Sequence, residues 1–152
     1  MLQFLKMQFG ALTGYSRSVI EAQPGKEEKA SRRLRVALVD DHQIVLEGLT
    51  NLLSQDRRLS IVGAATSARE ALQLVRDEHP DVVLMDVVMP EIDGIQATRM
   101  IKSEFPEVVV VGLSMLADEA TRQHMIQAGA CAHLGKDTEL PTLLDTVFSC
   151  IE

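Results

Sequence analysis

Val82-Val83-Leu84-Met85-Asp86-Val87-Val88-Met89-Pro90-Glu91-Ile92-Asp93-Gly94 is the stretch that decides the fold. Four consecutive apolar residues after Pro80-Asp81, ended by a carboxylate, read as a strand buried on both faces. Pro90 and Asp93-Gly94 then mark a turn, with Asp93 placed to cap a helix from Gly94 to Phe105.

The same alternation extends in both directions. Upstream, strand 35–39 leads into a helix from His42 to Ser54, with Val45, Leu46, Leu49, Leu52 and Leu53 at helical spacing. A second strand fits Leu59 to Ala65. Ser67, with Glu70 three residues on, forms a capping box for a helix through His79, which Pro80 stops. Downstream, Pro106 precedes the apolar strand 108–113, and a helix from Ala117 to Ala128 ends at Gly129. Strand 130–134 and a helix from Thr138 to Ile151 complete five β–α units. Right-handed crossovers then give an α/β fold: one five-stranded parallel sheet, doubly wound as (βα)5.

In such sheets, chemistry gathers at the carboxyl ends of the strands. Asp40 and Asp41 end the first, Asp86 the third and Ser114 the fourth, and Lys136 follows the fifth. Asp40-Asp41 alone reads either as a solvated turn or as a hard-cation site. Asp86 beside them creates like-charge repulsion that a cation or a proton must relieve. A carboxylate so placed can attack phosphorus while a metal and a lysine neutralise the transferring oxygens. Ser114 offers a short hydroxyl donor to a phosphoryl oxygen.

Val39-Asp40-Asp41-His42, Met85-Asp86 through Asp93-Gly94, Leu113-Ser114-Met115 and Leu134-Gly135-Lys136, in that order, resemble the receiver domain of bacterial two-component response regulators. The resemblance covers residues 34–151, and the spacings of 45, 28 and 22 residues from Asp41 to Asp86, Ser114 and Lys136 in turn suit it. It is closest in style to receivers that precede a helix-turn-helix output domain or end hybrid sensor kinases. It implies a flavodoxin-like receiver fold in which Asp86 accepts a phosphoryl group from a sensor histidine kinase or histidine phosphotransfer protein. Asp41, Asp86 and the Val88 carbonyl would hold Mg2+, with Asp40 acting mainly through water. Lys136 would pair with the acidic cluster and then with the phosphoryl group. Ser114 would swing toward that group, switching the face of residues 115–135 and allowing homodimerisation on phosphorylation.

Two positions depart from that pattern. His133 stands where such receivers carry Tyr or Phe, either as a buried structural residue or as a switching imidazole with pH sensitivity. Val88 and Leu116 are apolar where side chains would flank a hydrolytic water, which implies slow self-dephosphorylation. A receiver that only binds partners would be expected to lack one of the five residues. An aspartyl-nucleophile phosphatase would want an acid where Val88 stands, and a dinucleotide-binding domain a glycine-rich turn after the first strand.

Composition bounds the rest. With 46% hydrophobic residues, no Trp, one Tyr and four Phe among 152 residues, the core must be aliphatic. Residues 1–35 hold seven basic and three acidic residues; the rest hold eight and nineteen. So acidic a body is a poor nucleic-acid binder. No apolar run is long enough for a membrane span. Residues 1–34 read as a flexible N-terminal extension to a receiver domain at 35–152. Cys131 and Cys150 read as small buried hydrophobes with reduced thiols, which makes a cytoplasmic setting the default. Met85, Met89, Met100, Met115 and Met125 are expected in or near the core. His42, His79 and His124 are scattered and form no ligand set of their own.

Overall fold

The computed structural model describes residues 32–152; the expected extension at 1–34 lies almost entirely outside the described residues. Ten elements alternate: β1 Leu34–Val39, α1 Gln43–Leu53, β2 Leu59–Ala65, α2 Ala68–Glu78, β3 Val82–Asp86, α3 Gly94–Glu104, β4 Val109–Ser114, α4 Glu119–Ala128, β5 Ala132–Gly135 and α5 Leu140–Ile151. All four strand pairings are parallel, in the order β2-β1-β3-β4-β5. The chain reverses its direction of winding between β1 and β3, which opens a crevice above their carboxyl ends.

Strand alternation sorts the core into two layers. Val83 and Met85 point with Ala37 and Val39 into a cluster that includes Ala71, Val75, Ala97, Ile101 and Met125, from α2, α3 and α4. Val82 and Leu84 point with Val36 and Leu38 to the opposite face, against Leu46 and Leu53 of α1 and Leu143 and Val147 of α5. Among the described residues, the buried hydrophobic side chains include no aromatic ring, in keeping with the aliphatic composition.

The caps form largely as the sequence implies. Ser67 Oγ accepts from Glu70 N at 3.2 Å, but the Glu70 carboxylate reaches back to Thr66 N and Oγ1, both at 2.8 Å, one residue before the expected partner. Asp93 Oδ1 accepts from Gln96 N at 2.9 Å. The fourth helix starts later than expected because Asp118 takes the cap position, accepting from Thr121 N at 2.8 Å. The fifth starts at Leu140, with a proline in its first turn. Gly129, at φ +112°, closes α4 in the left-handed conformation that glycine adopts without strain.

Gly94 is required for a different reason. A Cβ there would sit 2.1 Å from the Asp86 carbonyl oxygen and 2.7 Å from Val87 Cα. Backbone cannot yield as a side-chain tip can, so Gly94→Ala is expected to lower unfolding free energy by about 2 kcal/mol in a denaturant titration. An unchanged midpoint would show that the loop after β3 relaxes freely.

Two expectations fail. Cys131 and Cys150 are not free thiols among buried hydrophobes but a disulfide, with Cα atoms 6.0 Å apart, and Cys131 is exposed. The cause is topological: α5 runs back antiparallel to β5, so its last turn returns to the residue that precedes the strand. The reduced-thiol argument for a cytoplasmic setting therefore does not stand. Met100 and Met115, at 39% and 78% exposure, lie at the surface, whereas Met85, Met89 and Met125 are buried as expected. No helix among the described residues is long and apolar enough to cross a membrane.

Candidate functional site

Each side chain of the site leaves the end of a strand. Asp40 follows β1, and its backbone N–H donates to Ala65 O at 3.1 Å, so it remains tied to the sheet. Asp86 and Ser114 are the last residues of β3 and β4. Lys136 follows β5, and its N–H donates to Ser114 O at 2.8 Å. The loop after Asp86 folds back through Gly94 N–H, which donates to Val87 O at 2.8 Å. Main-chain bonds thus hold all these positions before any side chain acts.

The structure gathers the side chains that the sequence reading singled out. Lys136 Nζ lies 2.6 Å from Asp40 Oδ2 and 3.1 Å from Asp86 Oδ1. Asp40 and Asp86 are buried. Burial disfavours the Asp86 carboxylate and, with Asp40 adding repulsion against the help of Lys136, pushes its pKa up to about 6. Burial also opposes ionised Asp40, but hydrogen bonds from Lys136 and from the His42 backbone and ring outweigh it and hold Asp40 below the usual carboxylate range. Burial works against the Lys136 ammonium too, yet its two carboxylate partners raise it above an ordinary lysine.

Asp86 Oδ2 is buried without a hydrogen-bond partner, and Asp41 Oδ1, also buried, makes no hydrogen bond and has only the His42 ring nearby, at 3.2 Å. Orphaned acceptors on two neighbouring carboxylates are costly unless a cation satisfies them. Asp40, Asp41, His42 and Asp86 can each turn one ligand atom inward so that all lie within 4.8 Å of one another. This donor set fits a small divalent ion that takes oxygen ligands and keeps some of its waters.

His42 is the residue that the sequence reading set aside. Its Nδ1 stands 3.0 Å from Asp40 Oδ1 and 3.2 Å from Asp41 Oδ1. Its adjacency to Asp40-Asp41 was the available signal; the other histidines gave no reason to weigh it.

On the other side of the pocket, Ser114 Oγ donates to Leu116 O at 2.8 Å and lies 2.9 Å from His133 Nε2. A hydroxyl has one hydrogen, so with that spent on Leu116 the imidazole must be the donor through Nε2–H. His133 Nδ1, the nitrogen left without a proton in that tautomer, is buried and has no partner. Burial pushes the His133 pKa below its usual value. Val88 and Leu116, at 74% and 79% exposure, form an apolar rim to the cleft that Asp86 and Lys136 share.

Residues 36–148 match the response regulator receiver domain family. The response regulator GacA of Pseudomonas viridiflava is 37% identical over 114 residues, which cover 75% of this chain and 53% of GacA. Among solved structures, the receiver domain of the response regulator NarL from Mycobacterium tuberculosis superposes with a TM-score of 0.74 at 31% identity, covering 79% of this chain and 97% of that one. A LuxR-family two-component response regulator from Aurantimonas sp. SI85-9A1 gives 0.75 at 31% identity, covering 79% of this chain and 86% of that one. The chain spans about half the length of the curated relatives it matches. The strand order 2-1-3-4-5, the acidic crevice at its switch point and the family match agree: this chain belongs to the response regulator receiver domains of two-component signalling.

Proposed function

We propose that Asp86 is the phosphoacceptor of this receiver, taking the phosphoryl group from a phosphohistidine on a sensor histidine kinase or histidine phosphotransfer protein. The observation that carries this is the environment of its two oxygens. Oδ1 is held by Lys136, while Oδ2 is buried, unpartnered and at the end of a main-chain-anchored strand. Oδ2 attacks phosphorus as the P–N bond of the donor breaks, and the leaving imidazole takes the electron pair and a proton. Asp41, Asp86 and the Val88 carbonyl, with Asp40 acting through water, would hold Mg2+, which when bound neutralises the phosphoryl oxygens. Lys136 offsets the charge that collects on the same group.

Ser114 is the first mover of the switch. On turning its hydroxyl from Leu116 O to a phosphoryl oxygen, it withdraws from its bond with His133, and the segment between them loses two contacts. That is a two-state element biased by a local charge. The output is control of a partner, a linked domain or a second copy in a phosphorylation-dependent homodimer. The setting is cytoplasmic, where such donors reside. The domain boundary near residue 35 belongs to the same proposal.

Incubation with Mg2+ and acetyl phosphate should add the mass of one phosphoryl group to the wild type and none to Asp86→Asn. Equal labelling of both would remove Asp86 from this role. The adduct should also persist. Neither Val88 nor Leu116 can orient a hydrolytic water, so Val88→Asn should shorten the lifetime of the adduct about tenfold or more. Loss from the wild type within seconds, with no phosphatase present, would contradict this.

A further inference from the structure

Helix α1 opens without a side-chain cap. His42 is its N-cap residue, and its side chain accepts no bond from the first turn. This position favours Ser, Thr, Asp or Asn, whose oxygens accept from first-turn N–H groups. The imidazole contributes nothing to the helix and turns instead to the carboxylates. Its backbone N–H donates to Asp40 Oδ1 at 2.9 Å, and its Nδ1 faces Asp40 Oδ1 at 3.0 Å and Asp41 Oδ1 at 3.2 Å. Asp86 offers a carboxylate oxygen to the same group of four residues.

We propose that His42 Nδ1 enters the coordination shell of the divalent cation in this pocket and shifts its preference from Mg2+ toward Mn2+ and later first-row ions. The inference rests on the reading of Asp41 and Asp86 as cation ligands. Mg2+ takes oxygen donors and holds its waters strongly, so an imidazole in the shell gains it little. Transition-metal divalent ions accept nitrogen readily and bind mixed nitrogen and oxygen sets more tightly. Ligation needs Nδ1 bare and any ring proton on Nε2, and solvent reaches this side chain, which is 63% exposed, so a proton exchange needs no protein relay. Lys136 sits on Asp40 Oδ2 and Asp86 Oδ1, whereas His42 Nδ1 faces Asp40 Oδ1 and Asp41 Oδ1.

The test is Mn2+ bound to tag-free protein, read by electron spin-echo modulation and by competition with Mg2+. The wild type should show nitrogen-14 coupling from one directly bound imidazole. His42→Ala should lose that coupling, keep bound Mn2+ through the carboxylates and bind it about tenfold more weakly, with a smaller change for Mg2+. Bound Mn2+ without nitrogen coupling, or coupling that survives in His42→Ala, overturns the inference and leaves the cation site standing. Failure of Mn2+ and Mg2+ alike to bind, or binding unaffected by Asp41→Asn and Asp86→Asn, removes the cation site and the inference with it.

Discussion

Lys136→Met is expected to lower unfolding free energy by about 3–5 kcal/mol at neutral pH in chelator-treated buffer, the cost typical of removing one partner from a buried ion pair. Methionine keeps most of the apolar stem, so the loss isolates the charge. Lys136 is the cation placed on both Asp40 and Asp86, at 2.6 and 3.1 Å, and all three side chains are at most 12% exposed. Without it, two buried carboxylates face each other with no cation between them, and only Asp40 keeps hydrogen bonds, from His42. Mg2+ should restore part of the stability, and so should acidification toward pH 5, because protonated Asp86 no longer repels Asp40. The double variant Lys136→Met with Asp86→Asn should recover most of the loss, a non-additivity expected when two residues act through one interaction. Denaturant titrations of the four proteins with and without Mg2+ measure all of this. A loss equal at pH 5 and pH 7.5 and untouched by Asp86→Asn would mean that Lys136 matters only as packing.

Asp86→Asn should do the opposite. The Asp86 pKa of about 6 lies above its ordinary 3.8, so between those values the folded protein keeps a proton that the unfolded chain has released. Stability from this group is therefore full below about pH 4 and falls as pH rises through 6. An asparagine never bears the charge, and the variant should be more stable than the metal-free wild type by about 2 kcal/mol at pH 7.5, with the difference vanishing near pH 4. His133 slopes the other way. Burial depresses its pKa, so stability falls as pH drops through its ordinary value of 6.5, in both proteins alike. The difference between wild type and variant cancels that common slope. Mg2+ should stabilise the wild type and do much less for the variant, which has lost one of the proposed ligands. Equal stabilities across this pH range, with equal responses to Mg2+, would show that Asp86 does not carry the strain assigned to it.

Much of this was legible in the sequence because the fold writes itself in strong local signals. Apolar runs as short as Val82 to Met85, flanked by Pro80 and Pro90, read as two-sided strands, and Ser67, Asp93 and Gly129 stop or start helices by chemistry that acts over three or four residues. The site was legible for the same reason, since a residue ending a parallel strand is delivered to one rim whatever lies between. What escaped depended on distances across the fold. The Cys131–Cys150 bridge needs α5 to return beside the start of β5, and 19 residues of separation do not reveal that. Met100 and Met115 look apolar enough for the core, but one lies on the outer side of α3 and the other just past the end of β4. Arg58 stacks over the Phe148 ring at 4.3 Å, joining the β2 approach to α5, and neither residue has a local cue for it. His42 went unweighed because a histidine announces a ligand only when its neighbours in space are known.

The bond between His133 and Ser114 also makes this molecule its own spectroscopic probe. The chain has no tryptophan, and its one tyrosine, Tyr15, lies outside the described residues, so fluorescence offers little purchase on the pocket. His133 carries a proton on Nε2 and a bare lone pair on Nδ1, two nitrogens whose magnetic environments differ widely while Ser114 accepts from one of them. Under the proposed switch that acceptor turns away, and the nitrogen resonances are then expected to move. A single ring in nitrogen-15 labelled protein then reads out the position of a hydroxyl that no chromophore can see.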